Sequence, residues 1–115
     1  MNNLIKITVD SHFKGSYSGM GDLELNGSFE GSLKVENLYI KKTGIFLGYV
    51  SADNIVVEGE INADIQTENF HLKSSGIVDG EITYRNIIID SGGLLKSSMV
   101  QNISSLNNLI KLHKR

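Results

Sequence analysis

The side chains of this chain that could do chemistry are few, and their spacing decides against it. His12, His71 and His113 are the histidines, and Asp10-Ser11-His12 holds the residue types of an orienter, a nucleophile and a base. Neighbours on one extended strand point to alternate faces, so these three cannot align as a catalytic triad. A zinc site needs several converging ligands, whereas the histidines stand far apart in sequence, with His71 turned outward between Phe70 and Leu72. They read as exposed histidines, with a zinc shared between subunits as the alternative. Glu24, Glu30, Glu58, Glu60, Asp64 and Glu81 fall on positions that alternate with apolar ones. They read as a solvated face that blocks sideways aggregation, with a catalytic dyad as the alternative. Lys34, Lys41 and Lys73 are expected to pair with neighbours across the sheet, at about 0.2–1 kcal/mol per pair. Gly19-Met20-Gly21 lacks the strand-to-helix context of a phosphate loop and reads as a corner. The expectation is a chain that is not an enzyme and holds no cofactor or metal.

What would position these residues is a set of short strands. Leu23, Leu25, Gly27, Phe29, Gly31, Leu33 and Val35 alternate without a break with Glu24, Asn26, Ser28, Glu30, Ser32 and Lys34. Period two is the signature of a strand with one buried face, and an inward glycine marks where such a strand can bend sharply. The pattern recurs. An apolar-x-apolar pair opens each unit: Ile7/Val9, Leu23/Leu25, Leu38/Ile40, Ile55/Val57, Phe70/Leu72 and Ile87/Ile89. An apolar-x-small-x-apolar element follows: Phe13-Gly15-Tyr17, Phe29-Gly31-Leu33, Phe46-Gly48-Val50, Ile61-Ala63-Ile65, Val78-Gly80-Ile82 and Leu95-Ser97-Met99. Six units at 15 to 17 residues are too short for strand–helix repeats and suit three short strands per turn. The fold class is therefore all-β: a parallel β-helix of about six triangular rungs.

Two copies stand out, NLYIKKTGIFLGYVSA at 37–52 and NFHLKSSGIVDGEITY at 69–84, with a related unit between them at 53–68. The extra residues Lys42-Thr43 and Ser74-Ser75 widen one corner in alternate rungs, so the best self-match lies 32 residues apart. Phe29, Phe46, Ile61, Val78 and Leu95 should stack as one interior column. Six rungs at roughly 4.8 Å make a rod about 29 Å long.

Composition agrees. The 115 residues are 40% hydrophobic, with 12 Gly, no Pro, no Cys and a net charge of −2. That length suits one domain. The lack of Pro leaves every backbone donor available for sheet pairing, and the lack of Cys removes disulfides and thiolate metal sites. There is no large basic block, so no nucleic-acid partner is expected. No apolar run reaches the roughly 20 residues of a spanning helix, and MNNLIKITVDS has no signal-peptide core. The expected location is cytoplasmic.

Residues 1–4 read as an N-terminal tail and 5–100 as the β-helix domain. In 101–115, Ile103, Leu106, Leu109, Ile110 and Leu112 have helical spacing behind Ser104 or Ser105; this is a short amphipathic helix or a frayed tail. A β-helix exposes unpaired backbone and uncovered core at both ends, which recruits other chains. Ile5, Ile7, Val9, Phe13 and Tyr17 are the expected face at one end, and Ile87, Ile89, Leu94, Leu95 and Met99 at the other. Two such ends imply end-to-end polymers, unless the termini fold over them.

The runs LELNGSFEGSLKVENLYI, NIVVEGEINADI and IVDGEITYRNIIIDSGG, spanning about Leu23 to Gly93, resemble the bactofilins, bacterial polymer-forming cytoskeletal proteins. The shared feature is a repeated G-x-apolar-x-G-x-apolar pattern. The resemblance implies a right-handed β-helix and nucleotide-independent filaments built by contacts between equivalent ends. It also implies a scaffold for cell shape or polar machinery, working beside peptidoglycan-modifying enzymes at the inner membrane. Ala63 and Ser97 stand where the pattern favours Gly, and both are small enough to keep the corner. The short tails lack the Pro- and charge-rich character common in the family. Peripheral contact with the cytoplasmic face of the membrane would fall to Leu4 and Ile5, or to Leu109, Ile110, Lys111, Lys114 and Arg115; a first strand explains Leu4-Ile5-Lys6 equally well. Two functions of different class follow: a self-assembling filament scaffold, or a non-polymerising β-helical module that shows its outer face to a partner protein.

Overall fold

A computed structural model describes residues 4–8 and 10–101. Alternating apolar and polar residues, rich in Ile, Leu and Val, form nine strands: β1 (Leu4–Ile7), β2 (His12–Ser18), β3 (Asp22–Leu25), β4 (Ser28–Ile40), β5 (Ile45–Val57), β6 (Glu60–Leu72), β7 (Ile77–Tyr84), β8 (Asn86–Ile89) and β9 (Leu94–Gln101). All pairings are parallel and belong to one continuous sheet. Each residue pairs with one about a rung further along the chain, so the sheet closes into a solenoid of six turns. Among the described residues there is no helix; of the expected C-terminal helix or tail at 101–115, Gln101 instead ends β9 and the rest lies outside them.

The register builds the interior. The expected column runs Phe13, Phe29, Phe46, Ile61, Val78, Leu95. Three more columns run beside it: Ile5 to Ile87 through Leu23, Leu38, Ile55 and Phe70; Ile7 to Ile89 through Leu25, Ile40, Val57 and Leu72; and Tyr17 to Met99 through Leu33, Val50, Ile65 and Ile82. Every inner member of these four columns is at most 1% exposed. A single rung contributes only a few of these side chains, so burial is a property of the stack.

Each turn has three corners, which makes it triangular. One lies before β2, β4, β5, β6, β7 and β9, and it comes in two widths. At the wide form a four-residue turn closes on itself: Gly44 N donates to Lys41 O (2.8 Å) and Gly76 N to Lys73 O (2.9 Å). At the narrow form two successive amides share one carbonyl of the rung below: Asn26 N and Gly27 N both donate to Ile7 O, and Glu58 N and Gly59 N to Ile40 O. The widening at Lys42-Thr43 and Ser74-Ser75 is as expected. The strict alternation is not, because Asp90–Gly93 forms another wide turn directly after that of 73–76, with Gly92 at φ 97°. The same corner moves the opening pair of the first rung. The pair in register with Leu23/Leu25 is Ile5/Ile7, not Ile7/Val9, because a wide turn from Thr8 to Ser11 follows it. Val9 lies outside the described residues.

The second corner is the small-residue position. Gly31 and Gly48 adopt φ values of 136° and 128°, open only to glycine, and a Cβ on either would collide with the carbonyl oxygen of the glycine one rung below. Ala63 occupies this place in the fourth rung with no positive φ. The chain still turns there, but the ladder between β6 and β7 loses the Ala63–Gly80 and Asp64–Glu81 pairs and resumes in register at Ile65–Ile82. The third corner carries Glu36, Asp53, Glu68 and Arg85. There Glu36 N and Asn37 N both donate to Gly21 O, and Arg85 N donates to Glu68 O.

Candidate polymer interface

The four apolar columns have to end somewhere, and they end at the surface. At the N-terminal end they stop at Ile5, Ile7, Phe13 and Tyr17. Ile5, Ile7 and Tyr17 are half-buried against the core, and Phe13 is 37% exposed. Phe13 stacks on Phe29 at 4.7 Å between ring centroids, and Phe29 on Phe46 at 5.1 Å. The outer face of the Phe13 ring therefore caps a three-ring stack that nothing continues among the described residues. At the other end the columns stop at Ile87, Ile89, Leu95 and Met99. Ile87 and Leu95 are half-buried, while Ile89 and Met99 are 44% and 37% exposed. Among the described residues no strand pairs with the outer edge of β1 or β2, or of β8 or β9. Each edge offers unpaired backbone groups beside bare apolar side chains, the combination that draws in another chain.

Of the residues expected at these ends, Leu94 sits apart. It is in register with Ile77, Glu60, Ile45 and Ser28 on the outward side of its rung, and is 45% exposed. Val9 and the membrane candidates Leu109, Ile110, Lys111, Lys114 and Arg115 lie outside the described residues, and of the other two, Leu4 opens β1 and Ile5 heads a core column. The structure adds Ile88 and Val100, 59% and 48% exposed, to the apolar surface of the last rung. Alternation could not single out Ile88 within the all-apolar run Ile87-Ile88-Ile89.

One side of the rod carries a device that the sequence reading missed. Asn37 Nδ2 donates to Asp22 Oδ1 (2.6 Å), Asn54 to Asn37 (2.7 Å), Asn69 to Asn54 (2.8 Å) and Asn86 to Asn69 (2.9 Å). This ladder of carboxamides ties five rungs at one position. Its signal was present as asparagines 15 or 17 residues apart. Ion pairs repeat the theme across rungs: Lys6–Glu24 (3.5 Å), Lys14–Glu30 (3.8 Å), Lys41–Glu58 (3.8 Å) and Arg85–Glu68 (2.9 Å). Lys41 pairs as expected, whereas Lys34 lies between Ser18 and Ser51 and has no carboxylate in its column. Glu24 also accepts from Asn26 Nδ2 (2.9 Å). That bond is the largest cause holding its carboxyl below the ordinary value; burial opposes it, and Lys6 and then Lys41 add smaller pulls in the lowering direction.

The residues with catalytic potential do not converge. His12 Nδ1 bonds Ser28 Oγ across the rung rather than Ser11, whose hydroxyl shares a hydrogen bond with Thr8 Oγ1 (2.9 Å). His71 Nε2 meets Asp90 Oδ1 at 3.0 Å. Among the described residues no group of three or more His, Asp or Glu side chains is arranged to hold a metal ion, and no helix is long and apolar enough to cross a membrane. At Gly19-Met20-Gly21, the Gly21 amide donates to Glu36 Oε1 (2.9 Å), so a carboxylate occupies the donor that a phosphate would need.

A protein-family model described as bactofilin, polymer-forming cytoskeletal, matches residues 5–100. Among solved structures, the chain is similar to a Thermus thermophilus bactofilin reconstructed by cryo-EM as double helical filaments. The identity is 21% and the TM-score 0.81, over 85% of this chain and 99% of that one. It is also similar to the cytoskeletal bactofilin BacA determined by solid-state NMR, with 22% identity and a TM-score of 0.74 over 88% and 96% of the two chains. A crystal structure of a Thermus thermophilus bactofilin point mutant matches at 22% identity and a TM-score of 0.72, over 76% and 99%. At these identities the structural likeness shows the solenoid fold alone. No curated protein sequence matches the chain.

Proposed function

Because the chain belongs to the bactofilin family of polymer-forming cytoskeletal proteins, we propose that its two end rungs are the polymerisation surfaces and that it assembles end to end into filaments without nucleotide. The observation that carries this reading is the change along each apolar column. Residues at most 1% exposed inside the rod give way at both ends to partly bare ones, Phe13, Ile89 and Met99 among them. The occupied amide at Gly21 supports independence from nucleotide. Contacts between equivalent ends are supported at the N-terminal end by the ring stack. A second Phe13 continues it face to face, whereas the opposite end offers Leu95 in that column. Filaments of this kind would serve as a cytoplasmic scaffold for cell-shape, polar or cell-wall machinery. Peripheral membrane contact, where it occurs, would use Leu4 and Ile5 or the basic, apolar segment 109–115.

Negative-stain microscopy and sedimentation of the purified chain test this, with and without nucleotide and with and without anionic vesicles. The expected result is filaments in all conditions. Phe13→Asp and Leu95→Asp should each leave short soluble species, because each opens one of the two contacts. A wild-type chain that stays monomeric at high concentration would replace this reading with that of a non-polymerising interaction module.

A further inference from the structure

One face of the rod turns apolar as it approaches the last rung. On the segments that open each rung, the outward column in register reads Lys6, Glu24, Tyr39, Val56, His71, Ile88. Lys6 and Glu24 form an ion pair, whereas Tyr39, Val56 and His71 are half-buried and Ile88 is exposed. A hollow follows each side of this ridge. One, of about 310 Å³, lies against Asn54, Asn69 and Asn86 of the carboxamide ladder; the other, of about 320 Å³, lies against Lys41, Glu58 and Lys73. We propose that the ridge and the hollow on its ladder side are the docking site for residues 102–115 of the same chain.

The described chain ends beside this site. β9 stops at Gln101, in register with Tyr84, and the Gln101 side-chain amide donates to Arg85 O, one residue before Asn86. The chain therefore leaves at the third corner, between Val100 on one side and Ile88 on the other, which are 48% and 59% exposed. The segment that follows brings apolar residues to match, because Ile103, Leu106, Leu109 and Ile110 have the spacing of one helical face. Taken as a helix, 103–114 covers about 18 Å, and the three rung steps from Ile88 back to Tyr39 cover about 14 Å. The segment is thus long enough to follow the ridge from the last rung past Val56.

Charge sets the direction. Residues 53–101 carry eight carboxylates against three Lys and Arg, and 4–52 carry five of each, whereas 102–115 carry Lys111, Lys114 and Arg115 and no carboxylate. On the ladder side the third corner presents Glu36, Asp53 and Glu68, with Arg85 at the last rung paired to Glu68. A segment that turns back along the rod carries its cations past Arg85 to the level of Asp53 and Glu36. One that runs outward past the last rung meets no described carboxylate. The hollow on the other side mixes Lys41 and Lys73 with Glu58, so charge complementarity selects the ladder side. Docked there, the segment leaves both end faces open, so this inference stands apart from the polymer reading. Membrane contact would then fall to Leu4 and Ile5.

The chain has no cysteine, so introduced pairs test this in the full chain. Val56→Cys with Ile110→Cys should close a disulfide within one chain. Leu47→Cys with Ile110→Cys, which puts the first cysteine on a different face, should not. Leu106→Glu should slow the first closure severalfold, and so should high salt. In the chain without cysteines, trypsin should cut after Lys111 more slowly than in Ile88→Asp, a substitution at an exposed position that spares the core. Equal closure by the two cysteine pairs, disulfides that form only between chains, or equal cleavage after Lys111 in the two chains would each overturn the proposal. Failure to form filaments would sink the end-to-end reading and leave these measurements, and this inference, untouched.

Discussion

Phe46 and Phe13 are the same residue in the same column, two rungs apart, and they have opposite jobs. Phe46 is fully buried between Phe29 and Ile61; among the described residues Phe13 has a partner on one side only, and it is 37% exposed. The interior of the rod and its ends are thus built from one pattern. What differs is whether a further described rung of this chain covers the column. Interior positions should govern stability, and end positions should govern assembly.

The largest effect expected from this contrast is in the pair Phe46→Ala and Phe13→Ala. The first should lower monomer stability by about 3–5 kcal/mol, read by thermal or urea unfolding. The second should change it by a fraction of that while removing polymers from the pellet on ultracentrifugation. Equal destabilisation by both would break the distinction. Next, Gly48→Ala forces a left-handed backbone and a collision with the Gly31 carbonyl. It should destabilise by about 1–3 kcal/mol or more, whereas Ala63→Gly should be mild because that rung turns without positive φ.

A smaller contrast lies in the carboxamide ladder. Asn54→Leu strands a partner on each side and should reduce stability by about 1–3 kcal/mol. Asn86→Leu, at the open end of the ladder, gives up a single bond, worth about 0.5–1.5 kcal/mol. The smallest effect concerns Glu24. Its carboxyl is held below the ordinary value in the folded chain, so the unfolded chain takes up the proton first as pH falls. The stabilisation is complete above the ordinary carboxylate range and is lost as pH drops through the lowered folded-state value. Glu24→Gln should accordingly melt below wild type at neutral pH, with the gap closing on acidification; a gap independent of pH would count against it.

Much of this was legible because burial in a strand is written with period two. The columns through Phe29, Phe46, Ile61, Val78 and Leu95 needed only alternation and a repeat length. The wide corners at Lys42-Thr43 and Ser74-Ser75 were visible as two-residue insertions. What escaped depends on neighbours in space rather than in sequence. A lone asparagine after a corner reads as a turn residue, and only stacking shows that Asn37, Asn54, Asn69 and Asn86 bond one another. Leu94 adjoins Leu95 in sequence, yet register turns it outward and away from the expected end face. Ala63 kept the corner as expected, but the broken pairing with Gly80 needed the backbone angles.

The corner hydrogen bonds carry a mechanical meaning. Ile45 N to Gly27 O, Glu60 N to Gly44 O, Ile77 N to Gly59 O and Leu94 N to Gly76 O continue the ladder through the bend. The weak links of the rod therefore lie along its length, while covalent backbone hoops its girth. A fibre made this way resists being crushed far better than being stretched. Under tension the end-to-end filament proposed above should part at its joints between subunits before any single subunit unwinds.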